Sequence, residues 1–200
     1  MAITSEQVKE LRDMTGISVM QCKAALEEAN GDKAKALMIL SKKSGAIAAK
    51  KSDRTLGAGV VSSYIHANKE IGSMLVLRSE TDFVSKNEEF VALAREIALQ
   101  IAASSPQYVK REDIPAEKLE EIKALFVKEV EGLSAQAGKP ENLKETILAG
   151  KVDAYLKNIV IMEQPYIKDD TKTIRDLVEG AVQKFGERVE IERFTRFSTR

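Results

Sequence analysis

The chain has 200 residues, 44% hydrophobic and 31% charged, with 31 basic side chains against 31 acidic ones. This is the composition of a globular protein of one or two domains, and its zero net charge argues against non-specific nucleic-acid or anionic-membrane binding as its main task. One Cys and one His exclude an intrachain disulfide and leave almost nothing from which to build a Cys or His metal centre.

No run of about 18 apolar residues is present, so no membrane span is expected. Residues 1–10 carry charges where a signal peptide needs an apolar stretch, so a cytoplasmic protein, or the mature form of an organellar one, is expected. The first 40 residues predict three short helices. Thr4 and Gln7 have capping-box spacing, which places helix one over 5–14, ended by Thr15-Gly16. Ser18 and Gln21 repeat that spacing and open helix two over 19–29, with Cys22, Ala25, Leu26 and Ala29 as its apolar stripe. Asn30-Gly31 is a turn, and Asp32 a ready N-cap for helix three. Val19 and Met20 follow the second cap directly. Both cannot easily face the core, so Met20 is read either as a core residue or as part of an apolar and basic contact patch with Arg12 and Lys23.

Residues 42–54 hold five basic side chains and one acidic one. The small residues after Gly45 can continue a helix, but apolar periodicity fades. A linker over 46–55 is therefore expected between a 1–45 head and a 56–200 core. No aromatics are interleaved to stack bases, which favours a solvated linker over an RNA-binding patch.

From Leu56 the period changes to that of strands. Gly57–His66 and Glu70–Arg78 read as a hairpin closed by Ala67-Asn68-Lys69, with Ile71, Leu75 and Leu77 on the packed face. His66, at the hairpin end, has no placed partner and reads as a surface residue.

A corner follows at Thr81-Asp82-Phe83-Val84. Ser85 and Glu88 have capping-box spacing, so a helix is expected from Ser85, striped by Phe90, Leu93, Ala94, Ile97, Ala98 and Ile101 to about Ala103. Local pattern alone leaves two readings of the corner. Phe83 tucks into the core while Asp82 caps the helical amides, or ring and carboxylate are offered to another protein.

Pro115 suits the first turn of the next helix, with Leu119, Ile122, Phe126 and Val130 as its stripe and Gly132 near its end. Gly138-Lys139-Pro140 reads as a loop. Leu148, Val152, Tyr155, Ile159 and Met162 then mark one helix, broken by Gln164-Pro165. A last helix over 173–185 ends at Gly186, and residues 188–198 form a closing strand that can join the hairpin. The expected fold is α+β, a three-helix head followed by a small, about three-stranded antiparallel sheet packed with helices.

Several blocks resemble the translation elongation factor Ts family. Leu11-Arg12-Asp13-Met14-Thr15-Gly16 with Met20, Cys22-Lys23 and Ala25-Leu26 is similar to its N-terminal signature. Glu80-Thr81-Asp82-Phe83-Val84-Ser85-Lys86-Asn87 is similar to its second. Gly138-Lys139-Pro140 with Gly150-Lys151, then Glu163-Gln164-Pro165-Tyr166, then Arg193-Phe194 with Arg196-Phe197, resemble later blocks in order.

The resemblance covers essentially the whole chain. It implies a guanine-nucleotide exchange factor for elongation factor Tu with a ubiquitin-associated-like head, no cofactor, no catalytic residues and no direct nucleic-acid contact. It implies head contacts with the G domain of Tu through Arg12, Val19, Met20 and Lys23, Val19 standing where a Met is frequent. It also implies that Thr81, Asp82, Phe83 and Val84 disturb the Mg²⁺ and phosphate site of Tu, which turns Phe83 into an exposed wedge. The chain has room for one core half, like the short members of the family, which dimerise; a homodimer in a complex with two Tu molecules is implied. Cys22, in the head, is not expected to supply the intersubunit disulfide of that form.

Two other functions compete on sequence grounds. An enzyme needs a nucleophile, base or metal constellation that these residues do not offer. A helical-head adaptor for another protein or RNA, without exchange activity, predicts that residues 1–50 alone suffice.

Overall fold

A computed structural model describes residues 3–135 and 141–199; the Gly138-Lys139-Pro140 block lies outside the described residues. The chain opens with α1 (Ser5–Thr15), α2 (Val19–Glu28) and α3 (Lys33–Lys50). Thr4 and Gln7 make the full reciprocal capping box, and Gly16 ends α1 in the left-handed region at φ 67°. Ser18 accepts from the Gln21 N–H, and Asp32 from the Lys35 N–H. The three helices close over Val8, Leu11, Ile17, Cys22, Ala25, Leu26, Ala36 and Leu40.

α3 does not stop at Gly45. Ala46, Ile47, Ala48 and Ala49 carry it to Lys50, and only residues 51–54 turn. The extension persists because its side chains are used: Ile47 and Ala48 pack on the second core. Ser41 Oγ donates to Asp176 Oδ1 (2.9 Å), and Ser44 donates to Gln183.

The second core is built on β1 (Ala58–Ile65) and β2 (Ile71–Ser79), then α4 (Asp82–Ser85), α5 (Glu88–Ser104), α6 (Ala116–Ala135) and α7 (Glu141–Ile159). It ends with β3 (Pro165–Tyr166), β4 (Asp169–Thr173), α8 (Ile174–Phe185) and β5 (Val189–Ser198). The main sheet is antiparallel in the order β1-β2-β5, so the closing strand joins the hairpin beside β2. Together the head helices, the small sheet and the helices around it form the expected α+β architecture.

The sheet has two unlike faces. Leu75, Leu77, Val189 and Ile191 point inward with Phe90, Ala94, Ile97 and Ile101 of α5. The opposite face leaves Val61, Ile65, Met74 and Phe197 exposed. Register sets this pattern: Ile65 pairs with Gly72, and Gly72 with Phe197, so both large side chains fall on one side.

Three local expectations change. The long helix starts at Glu88, not Ser85, because Asn87 Oδ1 takes the Glu89 N–H (2.9 Å) while Ser85 ends the separate turn of α4. α7 ends at Ile159 and excludes Met162. There the backbone leaves the helix to pair with residues 107–109: Gln107 N–H donates to Ile159 O (2.8 Å) and Ile161 N–H to Tyr108 O (3.0 Å). After the break at Gln164-Pro165 comes a small hairpin, β3–β4, that the sequence pattern does not announce. It is tied down from below, since buried Gln100 donates to Pro165 O (3.1 Å) and accepts from the Ile167 N–H (2.9 Å). Among the described residues, no helix is long and apolar enough to cross a membrane.

Candidate functional site

The corner between β2 and α5 is shaped by a single helical turn. Successive residues on a helix are about 100° apart, so a one-turn helix that buries two neighbours must expose the others. Here Val84 is only 4% exposed and belongs to the core, and Ser85 is buried beside it. Asp82, Phe83 and Lys86 are left outside. Phe83 is 83% exposed, the most exposed of the large apolar residues among those described. Its ring is held out by the burial of its neighbour, on a backbone fixed at both ends.

Asp82 and Lys86 form an i, i+4 ion pair at 2.7 Å on the same outer face. The Lys86 ammonium holds the Asp82 carboxyl below the usual carboxylate range, so it is ionised at neutral pH. Asp82 does not cap the turn, and neither does Thr81 by its side chain. Thr81 instead donates to Glu187: its N–H to Oε2 (3.0 Å) and its hydroxyl to Oε1 (2.6 Å).

Glu80, one residue earlier, accepts the Arg188 N–H (2.6 Å) and pairs with Arg54 (3.2 Å). Burial works to raise its pKa, but these donors outweigh burial and hold Glu80 below its ordinary range. The corner thus presents an aromatic ring and a charge pair on a braced base.

The head presents a second patch. Arg12 on α1 and Val19, Met20 and Lys23 on α2 are all exposed, Met20 at 76%. Neither Val19 nor Met20 enters the core, because Ile17, before the cap, fills that place. Met20 and Lys23 are three apart and share a face, while Cys22, Ala25 and Leu26 take the buried one. Lys23 lies 3.8 Å from Glu27.

The structure therefore gathers Asp82 and Phe83 on one outer face and turns Val84 inward as their anchor. Among the described residues, no hydrogen bond or ion pair links the head patch to the corner directly. The connection is indirect: α3 packs on α8, and the turn after α8 grips Thr81 and Glu80. Glu187 and Arg188 lie more than a hundred residues from the corner, and no local sequence signal marks them.

A cleft of about 860 Å³ lies between α3 and α8, lined by Leu37, Leu40, Leu177 and Phe185. Two of its rim groups are engaged within the chain, Lys184 with Glu89 and Asp176 with Ser41 and Thr173. Among the described residues no group of three or more His, Cys, Asp and Glu side chains is placed to hold a metal ion. What the corner can do chemically is dock: fill an apolar crevice and bring a carboxylate against it.

A family model described as Elongation factor TS matches residues 36–200. Elongation factor Ts of Thermodesulfovibrio yellowstonii is 47% identical over 197 residues, covering 98% of this chain and 96% of its own. That of Carboxydothermus hydrogenoformans is 48% identical over 198 residues, covering 98% of this chain and 88% of its own. That of Thermotoga maritima is 44% identical over 197 residues, covering 98% and 96%.

Proposed function

Because the chain belongs to the elongation factor Ts family, we propose that it acts in translation elongation in the cytoplasm as the guanine-nucleotide exchange factor of elongation factor Tu. The single observation that carries the mechanism is the exposed Phe83 ring on its braced corner.

Elongation factor Tu holds GDP through phosphate contacts and a Mg²⁺ ion, whose octahedral shell tolerates little distortion. A partner need not touch the nucleotide to release it. The Phe83 ring enters an apolar crevice on the G domain of Tu. The Asp82 carboxylate, ionised and beside it, displaces groups that support the metal. Thr81 and the buried Val84 set the backbone from which the two project. Once the metal is loosened, the diphosphate is held less tightly and GDP leaves. Only a factor that prefers nucleotide-free Tu can shift the equilibrium, and by linkage GDP or GTP must weaken its binding by the same factor.

The head, residues 1–45, docks on the G domain through Arg12, Val19, Met20 and Lys23, and the core, 56–200, carries the corner. Both are needed together, and the chain itself is not an enzyme. The test is release of a fluorescent GDP analogue from purified Tu. The full chain is expected to speed release many-fold, and residues 1–50 alone to do nothing. No acceleration by the full chain would sink the exchange reading; equal acceleration by the head would favour an adaptor.

The chain works as a homodimer, giving a complex of two chains with two Tu molecules. The bare sheet face supports this: Val61, Ile65, Met74 and Phe197 form an apolar surface of the kind that oligomers cover. Sedimentation is expected to give twice the chain mass at micromolar concentration, and Ile65→Asp with Phe197→Asp to give a folded monomer. A monomeric parent protein would refute the dimer.

A further inference from the structure

We infer that Glu187 is a positioning residue for the docking corner, an inference that rests on the exchange reading above. A one-turn helix such as α4 is weakly held by its own bonds, Ser85 N–H to Thr81 O (3.3 Å) and Lys86 N–H to Asp82 O (3.0 Å), since helix nucleation is unfavourable and short helices are marginal without outside contacts. Its N-cap would ordinarily help by accepting a bond from the second or third helical N–H. Thr81 makes no such bond. Both of its donors are turned away to Glu187, the N–H to Oε2 at 3.0 Å and the hydroxyl to Oε1 at 2.6 Å. One carboxylate thus fixes both the backbone and the side chain of the residue that starts the turn. Such charge-assisted, two-point contacts are stronger and more directional than neutral ones.

The brace is crossed. While Glu187 reaches back to Thr81, Glu80 reaches forward to the Arg188 N–H (2.6 Å). The pairing of Ser79 with Val189 in the sheet puts the two turns side by side, so neither carboxylate has far to reach. Gly186 adds a third tie. It ends α8 in the left-handed region at φ 71°, and its carbonyl accepts from Lys51 Nζ (2.6 Å), just past the end of α3. The turn that holds Thr81 is therefore held in turn by the segment leaving the head. Glu187 sets the attitude of Phe83 through Thr81 without touching a partner itself.

The test measures GDP release from Tu against factor concentration, for the parent chain, Glu187→Ala, Glu187→Gln, Phe83→Ala and the Phe83→Ala, Glu187→Ala pair. Loss of positioning is expected to lower the maximal release rate of Glu187→Ala about tenfold, with the half-saturating concentration within twofold of the parent. Glu187→Gln, which keeps one carbonyl oxygen for the Thr81 N–H, is expected to stay within threefold. In the Phe83→Ala background, Glu187→Ala is expected to change the rate less than twofold, because no ring is left to position. A merely structural role gives the same loss with or without the ring, and that result overturns the inference. Parent-like release by Glu187→Ala, with Phe83→Ala defective, also overturns it and leaves the exchange reading standing. If Phe83→Ala is as active as the parent, the corner mechanism and the inference fall together. If the parent does not speed release, the exchange reading itself falls. Should Glu187→Ala fail to fold, Glu187→Asp, whose shorter side chain draws the carboxylate back from Thr81, takes its place in both backgrounds: a fall in maximal rate that disappears without the Phe83 ring counts for the inference, and an equal fall in both backgrounds, or none in either, overturns it.

Discussion

Removing the Phe83 ring together with the Asp82 carboxylate is expected to cut Tu-bound GDP release, at saturating factor, by roughly 30- to 1000-fold. That is the effect of losing a contact worth about 2–4 kcal/mol, the range for truncating a central aromatic anchor at an interface. The ring is suited to that role because it is 83% exposed on a backbone held at Thr81 and anchored by Val84. An anchor that is already in place loses little conformational entropy on docking. The same exposure makes the double variant a clean probe. Phe83 contributes little to the fold, so the thermal midpoint should barely move, as for surface substitutions, which stay within about 0.5 kcal/mol. Undiminished release by a folded double variant would leave the family assignment in place and remove the wedge mechanism.

Phe90→Ala is expected to do the opposite, destabilising the protein by about 3–5 kcal/mol, the range for emptying a fully buried aromatic site. Phe90 is 0% exposed, and its ring meets Phe185 edge-on at 6.0 Å. It therefore joins the first turns of α5 to the end of α8, the two elements on either side of the corner brace. The loss is large against the roughly 5–15 kcal/mol total stability of an ordinary domain. Urea unfolding followed by circular dichroism reads it as a lower midpoint with an unchanged slope. Exchange activity should fall only with the folded fraction, which separates this variant from the corner variant. A midpoint shift corresponding to less than about 1 kcal/mol would show that the site collapses around the missing ring.

Much of this molecule is local and was therefore readable in order. Thr4 and Gln7, Ser18, Asp32 and Gly186 act as helix signals within a few residues of the groups they satisfy. The Gly57–His66 and Glu70–Arg78 runs pair as a hairpin because a short loop brings them together. The ordered blocks that resemble the elongation factor Ts family are likewise a property of the linear chain.

Tertiary contacts decided the rest. Whether residues 46–50 are linker or helix depended on whether Ile47 and Ala48 found the second core. Where α7 stops depended on residues 107–109, some fifty positions earlier, which take its departing backbone groups. The sequence offered Val19, Met20 and Phe83 both a core and a surface place. Ile17 and Val84 took the core positions, because a small core holds a fixed volume and only the better-placed side chain fills it. Residue patterns alone revealed what the corner is made of. Its attitude also rests on Glu187, 106 residues away, because a single turn has only a few hydrogen bonds of its own and a short helix is marginal without outside contacts.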